Sequence, residues 1–144
     1  MNPYSAPTVA LGAPETPDQG LGWLLFSLRG RIRRRQYWFG SLLMMLFLLF
    51  GGVGAGLATY SLRQSGDGNT LALLVLILVV APLILLAIWW SFALSVKRWH
   101  DRNKSGLWVL IGLIPYIGSL WAFIENGCLP GTEGPNDYGP DPRQ

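Results

Sequence analysis

The residues best equipped for chemistry gather in one stretch, KRWHDRNKSG at 97–106. His100 stands beside Asp101, with Lys97, Arg98, Arg102 and Lys104 around them. A histidine next to a carboxylate can relay a proton or hold a metal. Neighbours in sequence usually point in different directions, however, and His100 is the single histidine. With one cysteine as well, Cys128, the usual multi-cysteine zinc and iron–sulfur frameworks are excluded. The expectation is no catalytic residue, no metal and no cofactor. The stretch reads instead as a polar loop fixed by local hydrogen bonds, with Ser105 capping the following helix and the basic side chains meeting phosphates.

A second basic cluster, RGRIRRR, supplies Arg29, Arg31, Arg33, Arg34 and Arg35. It lies directly before a long uncharged apolar run. Each arginine beside an anionic leaflet contributes about 1 kcal/mol of attraction. Arg29, Arg31, Arg33, Arg34, Arg35, Lys97, Arg98, His100, Asp101, Arg102 and Lys104 together form a candidate surface for anionic lipid headgroups or a protein partner. A cluster this short, pressed against a membrane, does not fit nucleic acid. Glu125, directly after the last apolar run, reads as an interfacial carboxylate in water. Gly52 and Gly56 make a GxxxG pair, suited to close helix packing. Packing within this chain is the favoured use, and a homo-oligomer the alternative. No Gly-rich phosphate loop, nucleophile elbow or HExxH pattern is present.

The elements that must position these residues are membrane helices. Apolar residues make up 51% of the chain and charged residues 13%, against roughly 25% charged in a soluble domain. The apolar residues are also blocked into long runs. Residues 1–20 form a proline-rich tail too polar to order itself. Within a membrane domain at 21–128, the stretch LGWLLFSL is too short to cross a bilayer. It reads as an interfacial segment carrying Trp23 and Phe26. Three spans are expected, at about 37–60, 70–96 and 107–124, against the roughly 20 residues a bilayer requires. They must be helices, because hydrocarbon leaves backbone groups no outside partner. Pro82 should bend the second span, while Trp89 and Trp90, two turns inside it, should pack on a neighbouring helix. The third span is the shortest and carries Pro115 between Gly112 and Gly118. Residues 129–144 form a glycine- and proline-rich tail. The fold class is all-α and integral to the membrane.

Three crossings also set an orientation. Nine basic residues flank the inner ends of the spans, against Arg63 and Arg143 on the other side. The positive-inside rule then places the amino terminus and 97–106 in the cytoplasm, and the 61–69 loop and carboxyl tail in the periplasm.

Three stretches in order, FSLRGRIRRRQYW, KRWHDRNKSGLW, and IPYIG followed by CLPGTEGPNDYGPDP, resemble the domain of unknown function 805 family of small bacterial membrane proteins. The resemblance covers about 24–142. Trp99 stands where the family usually has an aliphatic residue, and Leu107 where it has a tryptophan. The resemblance implies a multi-pass protein of the bacterial inner membrane and supplies no activity. The functional expectation is a non-enzymatic membrane protein whose basic face binds anionic lipid or a partner. A small transporter or channel component is the alternative, and an interfacial enzyme using the His100 loop is third.

Overall fold

The computed structural model describes residues 20–64 and 68–143; the expected tail at 1–20 therefore lies almost wholly outside the described residues. The chain is helical. Helix α1 spans Leu21–Phe26 and α2 spans Arg34–Gln64. A second long rod follows, built from α3 (Gly68–Val75), a π-helical turn (Leu76–Val80) and α4 (Ala81–Asp101). Both rods are long and apolar enough to cross a membrane. They pack along each other, and most of their large apolar side chains face outward, among them Phe50, Leu57, Leu78 and Leu85. That is the pattern of helices solvated by lipid rather than water.

Pro82 enters at the first turn of α4, directly after the π turn. Proline has no N–H to give the carbonyl one turn back. The wider π turn takes up that mismatch, so the rod continues through it as helix.

The core sits at one end of the pair. Leu24, Leu25, Ile32, Trp90 and Leu94 are buried together, with Tyr37, Met44 and Phe47 against them. Trp90 packs on Phe47 at 4.9 Å between ring centroids, and on Phe26 edge-on at 6.1 Å. Helix α1 is thus tucked against α4 through Leu24 and Leu25. Gly30, at φ +89°, turns the chain from α1 toward α2 where a side chain would strike Trp23.

The third apolar segment does not form the expected crossing. It begins as a 3-10 helix at Gly106–Leu113, breaks at Pro115, and resumes as α5 (Ile117–Phe123) and a π turn (Ile124–Cys128). Tyr116 takes φ +61° at the break, and Ile117 N–H donates to Pro115 O at 2.7 Å. A side chain at Gly118 would collide with the Ile111 backbone, so α5 folds back tightly on the 3-10 helix. The segment's far end returns to its start: Lys104 Nζ and Arg102 Nε each lie 2.8 Å from the Glu125 carboxylate. The expected third span is therefore corrected to a re-entrant hairpin. The physical reason is local. Pro115 removes a helical hydrogen bond, and the small Gly118 permits backbone contact that no larger residue could make. Ser105 does cap the segment, accepting from Leu107 N–H at 3.3 Å.

Candidate functional site

The first part of the polar loop expected at 97–106 is in fact helical. Helix α4 continues to Asp101, so Lys97, Arg98 and Asp101 occupy its last turns. None of these three reaches solvent: Lys97 and Arg98 are 0% exposed and Asp101 is 4% exposed. Trp99 is also fully buried, near Trp108 at 5.9 Å with Lys104 lying over both rings.

Asp101 is the centre of this buried cluster. Its Oδ1 accepts from Arg31 Nε at 3.1 Å, and its Oδ2 from Arg98 Nη1 at 2.5 Å. The remaining guanidinium bonds go to backbone carbonyls, apart from one from Arg31 Nη2 to Thr132 Oγ1 at 3.2 Å. Arg31 bonds Thr132 O at 2.7 Å, Gly134 O at 2.7 Å and Gly139 O at 3.2 Å. Arg98 bonds Asn126 O at 2.6 Å, Leu129 O at 2.9 Å and Ile32 O at 3.2 Å. Buried charges persist only when paired and hydrogen-bonded in this way. Lys97 is used differently: its Nζ donates to Trp23 O at 2.8 Å and to Leu24 O. It places a cation at the carboxyl end of α1, where the negative end of the helix dipole favours it; Trp23 O also accepts from Ser27 N–H at 3.1 Å.

The carboxyl tail caps α4. Thr132 N–H donates to Asp101 O at 2.8 Å, and Asn136 Nδ2 donates to His100 O at 2.9 Å. The His100 ring stacks on Tyr138, centroids 4.0 Å apart and planes 5° from parallel, with Nδ1 3.2 Å from Gly30 O. Asp141 accepts from Gly134 N–H at 3.0 Å and from the Arg143 side chain. The Arg143 side chain, then its N–H, holds the Asp141 carboxyl well below the usual carboxylate range. At Glu125 burial pushes the pKa up, but the Lys104 hydrogen bond and the Arg102 and Lys104 charges outweigh it, and the net shift is downward. Glu125 is buried rather than in water.

The tail therefore meets α4 at the end that also holds residues 29–35. Placing it on the opposite side from the arginine cluster is corrected, because Arg31 bonds Gly134 O and Gly139 O and Arg33 bonds Pro142 O. Every lysine and arginine except Arg63 gathers at this end.

The candidate residues divide into three groups. Arg31, Lys97, Arg98 and Asp101 are buried, with their polar atoms engaged inside the protein. His100 is half-buried, and Arg102, with Nη1 2.6 Å from Pro130 O, and Lys104 hold the hairpin. Arg29, Arg33, Arg34 and Arg35 are exposed. Arg33, Arg34 and Arg35 join Arg143 around a cleft of about 210 Å³ floored by Arg98 and Asp101. Among the described residues no three of His, Cys, Asp or Glu come close enough to hold a metal. The partners that sequence reading missed are Thr132, Asn136, Tyr138, Asp141 and Arg143. Their signal was present in the motif CLPGTEGPNDYGPDP, whose turn residues mark a built loop rather than a free tail.

The Gly52–Gly56 pair faces open space rather than a neighbouring helix of this chain. A Cβ at Gly52, Gly54 or Gly56 would meet nothing, whereas one at Gly51 would meet Leu83 and one at Gly40 would meet Leu94.

Two lipid-facing rods, a re-entrant hairpin and a buried arginine–aspartate cluster closed by the carboxyl tail define a small multi-pass membrane protein. The chain belongs to the family described as protein of unknown function (DUF805), whose family model matches residues 25–140. It is 37% identical over 115 residues to the inner membrane protein YhaH of Escherichia coli, covering 80% of this chain and 86% of that one. It is 33% identical over 114 residues to the inner membrane protein YhaI of the same organism, covering 79% and 84%. A third relative, the uncharacterized protein YiiR, is 28% identical over 141 residues. No solved structure matches.

Proposed function

We propose that this protein is a non-enzymatic inner-membrane protein whose basic end lies in the cytoplasm and binds anionic lipid headgroups, with both the 29–35 cluster and the carboxyl tail on that side. The observation that carries the reading is the sorting of charge. All basic residues but Arg63 lie at one end of the rods, which is the distribution the positive-inside rule associates with the cytoplasmic face. The buried members hold the fold together, leaving Arg29, Arg33, Arg34 and Arg35 exposed to meet phosphates. His100 supports the same reading, since its ring is occupied by Tyr138 and Gly30.

A transporter needs polar groups along its spans. Ser91 and Ser95 line an otherwise apolar groove of about 460 Å³ between α2, α4 and the hairpin. Thr59 returns its hydroxyl to Gly56 O at 2.9 Å. These features favour the binding reading over transport.

The test is native mass spectrometry of protein purified from mixed membranes. Phosphatidylglycerol or cardiolipin should be retained in preference to phosphatidylcholine. Changing Arg33, Arg34 and Arg35 together to Gln should weaken retention by roughly two orders of magnitude at low salt, and less as salt screens the charges. Equal retention of anionic and zwitterionic lipid by the parent protein would refute the reading.

A further inference from the structure

We propose that the arginine cleft at the start of α2 is a discrete site for a single phosphate group, as carried by a phospholipid headgroup or a free phosphate ester. The proposal rests on the binding reading above and narrows it from a charged face to one pocket.

The charge around the cleft does not balance. Arg33, Arg34, Arg35, Arg98 and Arg143 line it, with Asp101 as the one carboxylate. Asp101 is already held by Arg31 and Arg98, and Asp141 by Arg143. No carboxylate among the described residues pairs with Arg33, Arg34 or Arg35. Like charges converging in a concave space repel, and an anion between them removes that cost.

The donors are also unspent. A guanidinium carries five N–H donors. Arg33 gives one to Pro142 O, and Arg34 gives one to Cys128 O at 2.8 Å. These two bonds steer the side chains and leave most of their N–H groups available. Arg35 makes no side-chain hydrogen bond or ion pair within the described protein. Helix α2 adds to the field. It starts at Arg34, runs for 31 residues and has no acidic residue in its first turn, so the positive end of its dipole is uncompensated. Gln36 Oε1 takes only the Arg33 N–H, at 2.9 Å.

Several planar forks around one small space suit a tetrahedral oxyanion better than a lone carboxylate. Height in the membrane favours a headgroup. The half-exposed Trp38 and Phe39 follow the cleft by three or four residues, and aromatic rings mark the headgroup level.

The test counts lipids by native mass spectrometry on the full chain in detergent, titrated with phosphatidylglycerol. The parent should show one lipid retained well above the rest. Arg35→Gln should weaken that first binding roughly tenfold, the scale of one lost charge-assisted contact. Arg63→Gln, exposed in the last turn of α2 at its other end, should change it less than about twofold. Inorganic phosphate and glycerol 3-phosphate serve as competitors. Displacement of the lipid only at high concentration assigns the site to headgroups, and saturable binding of the soluble anions without lipid assigns it to free phosphate esters. Graded retention of many lipids by the parent, with none held above the rest and no selective loss in Arg35→Gln, would overturn the pocket while leaving the basic face intact. No anionic preference in the parent would overturn both. Unchanged melting temperature in both variants guards against misfolding.

Discussion

Lys104 Nζ lies 2.8 Å from Glu125 Oε1, joining the residue just before the third apolar segment to the one just after it. A helix crossing the bilayer would hold its two ends roughly 30 Å apart, so this pair requires the segment to return. Cys128 is exposed and its carbonyl accepts from Arg34, at the start of α2. Labelling of intact spheroplasts with a membrane-impermeant thiol reagent should therefore spare Cys128 until lysis. Ser61→Cys, at the opposite end of α2 and placed in a Cys128→Ser background, should label without lysis. Both cysteines reacting from the same side would contradict the hairpin.

Asp101 holds two buried guanidinium groups, Arg31 and Arg98, that pair with no other carboxylate among the described residues. Asp101→Asn leaves both cations unbalanced, and losses of about 3–5 kcal/mol are typical when one partner of a buried ion pair is removed. The melting temperature in detergent should fall steeply. Proteolysis should also cut the released 129–143 loop, which loses its anchor at Arg31. Gly131→Ala is a second route to the same result, because a Cβ there would run into the Asp101 carboxylate. A Gly131→Ala protein that melts like the parent would show that the tail sits differently.

Acid should loosen the same end. Folding lowers the pKa values of Glu125 and Asp141. Each carboxylate therefore adds stability that is fully present above its unfolded value, about 4, and is lost as pH falls through its folded value. The melting temperature should stay flat with respect to these two groups from pH 7 to pH 5 and decline below about pH 4. In Glu125→Gln part of that decline should disappear, along with some stability at neutral pH. A variant with the parent's full acid slope would remove Glu125 from the account.

Much of this architecture was legible because hydrocarbon imposes simple rules. Uncharged runs of sufficient length announced α2 and the α3–α4 rod. Trp90 packs on a neighbouring helix as its depth implied, but Trp89 turns outward, 42% exposed and against Phe92 of its own helix. The hairpin was less legible because apolar length alone cannot tell crossing from returning. That choice depended on Gly118 meeting the Ile111 backbone and on Glu125 finding Lys104, contacts that no window of hydropathy records. Arg31 and Arg98 were misread for a related reason. Their charge pointed to phosphates, but α4 extends through Asp101 and places a carboxylate between them. The carboxyl tail then supplies carbonyls from more than 100 residues away from Arg31 in sequence, at Gly134 and Gly139.

Glycines on α2 offer a final test of which face packs inside the protein. Gly40 is buried, and a Cβ there would come within 2.9 Å of both terminal methyls of Leu94. Gly40→Leu overfills that contact and should cost about 1–3 kcal/mol. Gly52 and Gly56 face open space, so leucine at either should change the stability of a single protomer by less than about 0.5 kcal/mol. Helix propensity even favours leucine over glycine at an exposed position. Melting in detergent at low protein concentration measures the three variants, and sizing by light scattering separates packing within a protomer from packing between copies. Destabilisation by Gly52→Leu or Gly56→Leu equal to that by Gly40→Leu, in protein that stays monomeric, would mean that α2 is rotated relative to the arrangement described.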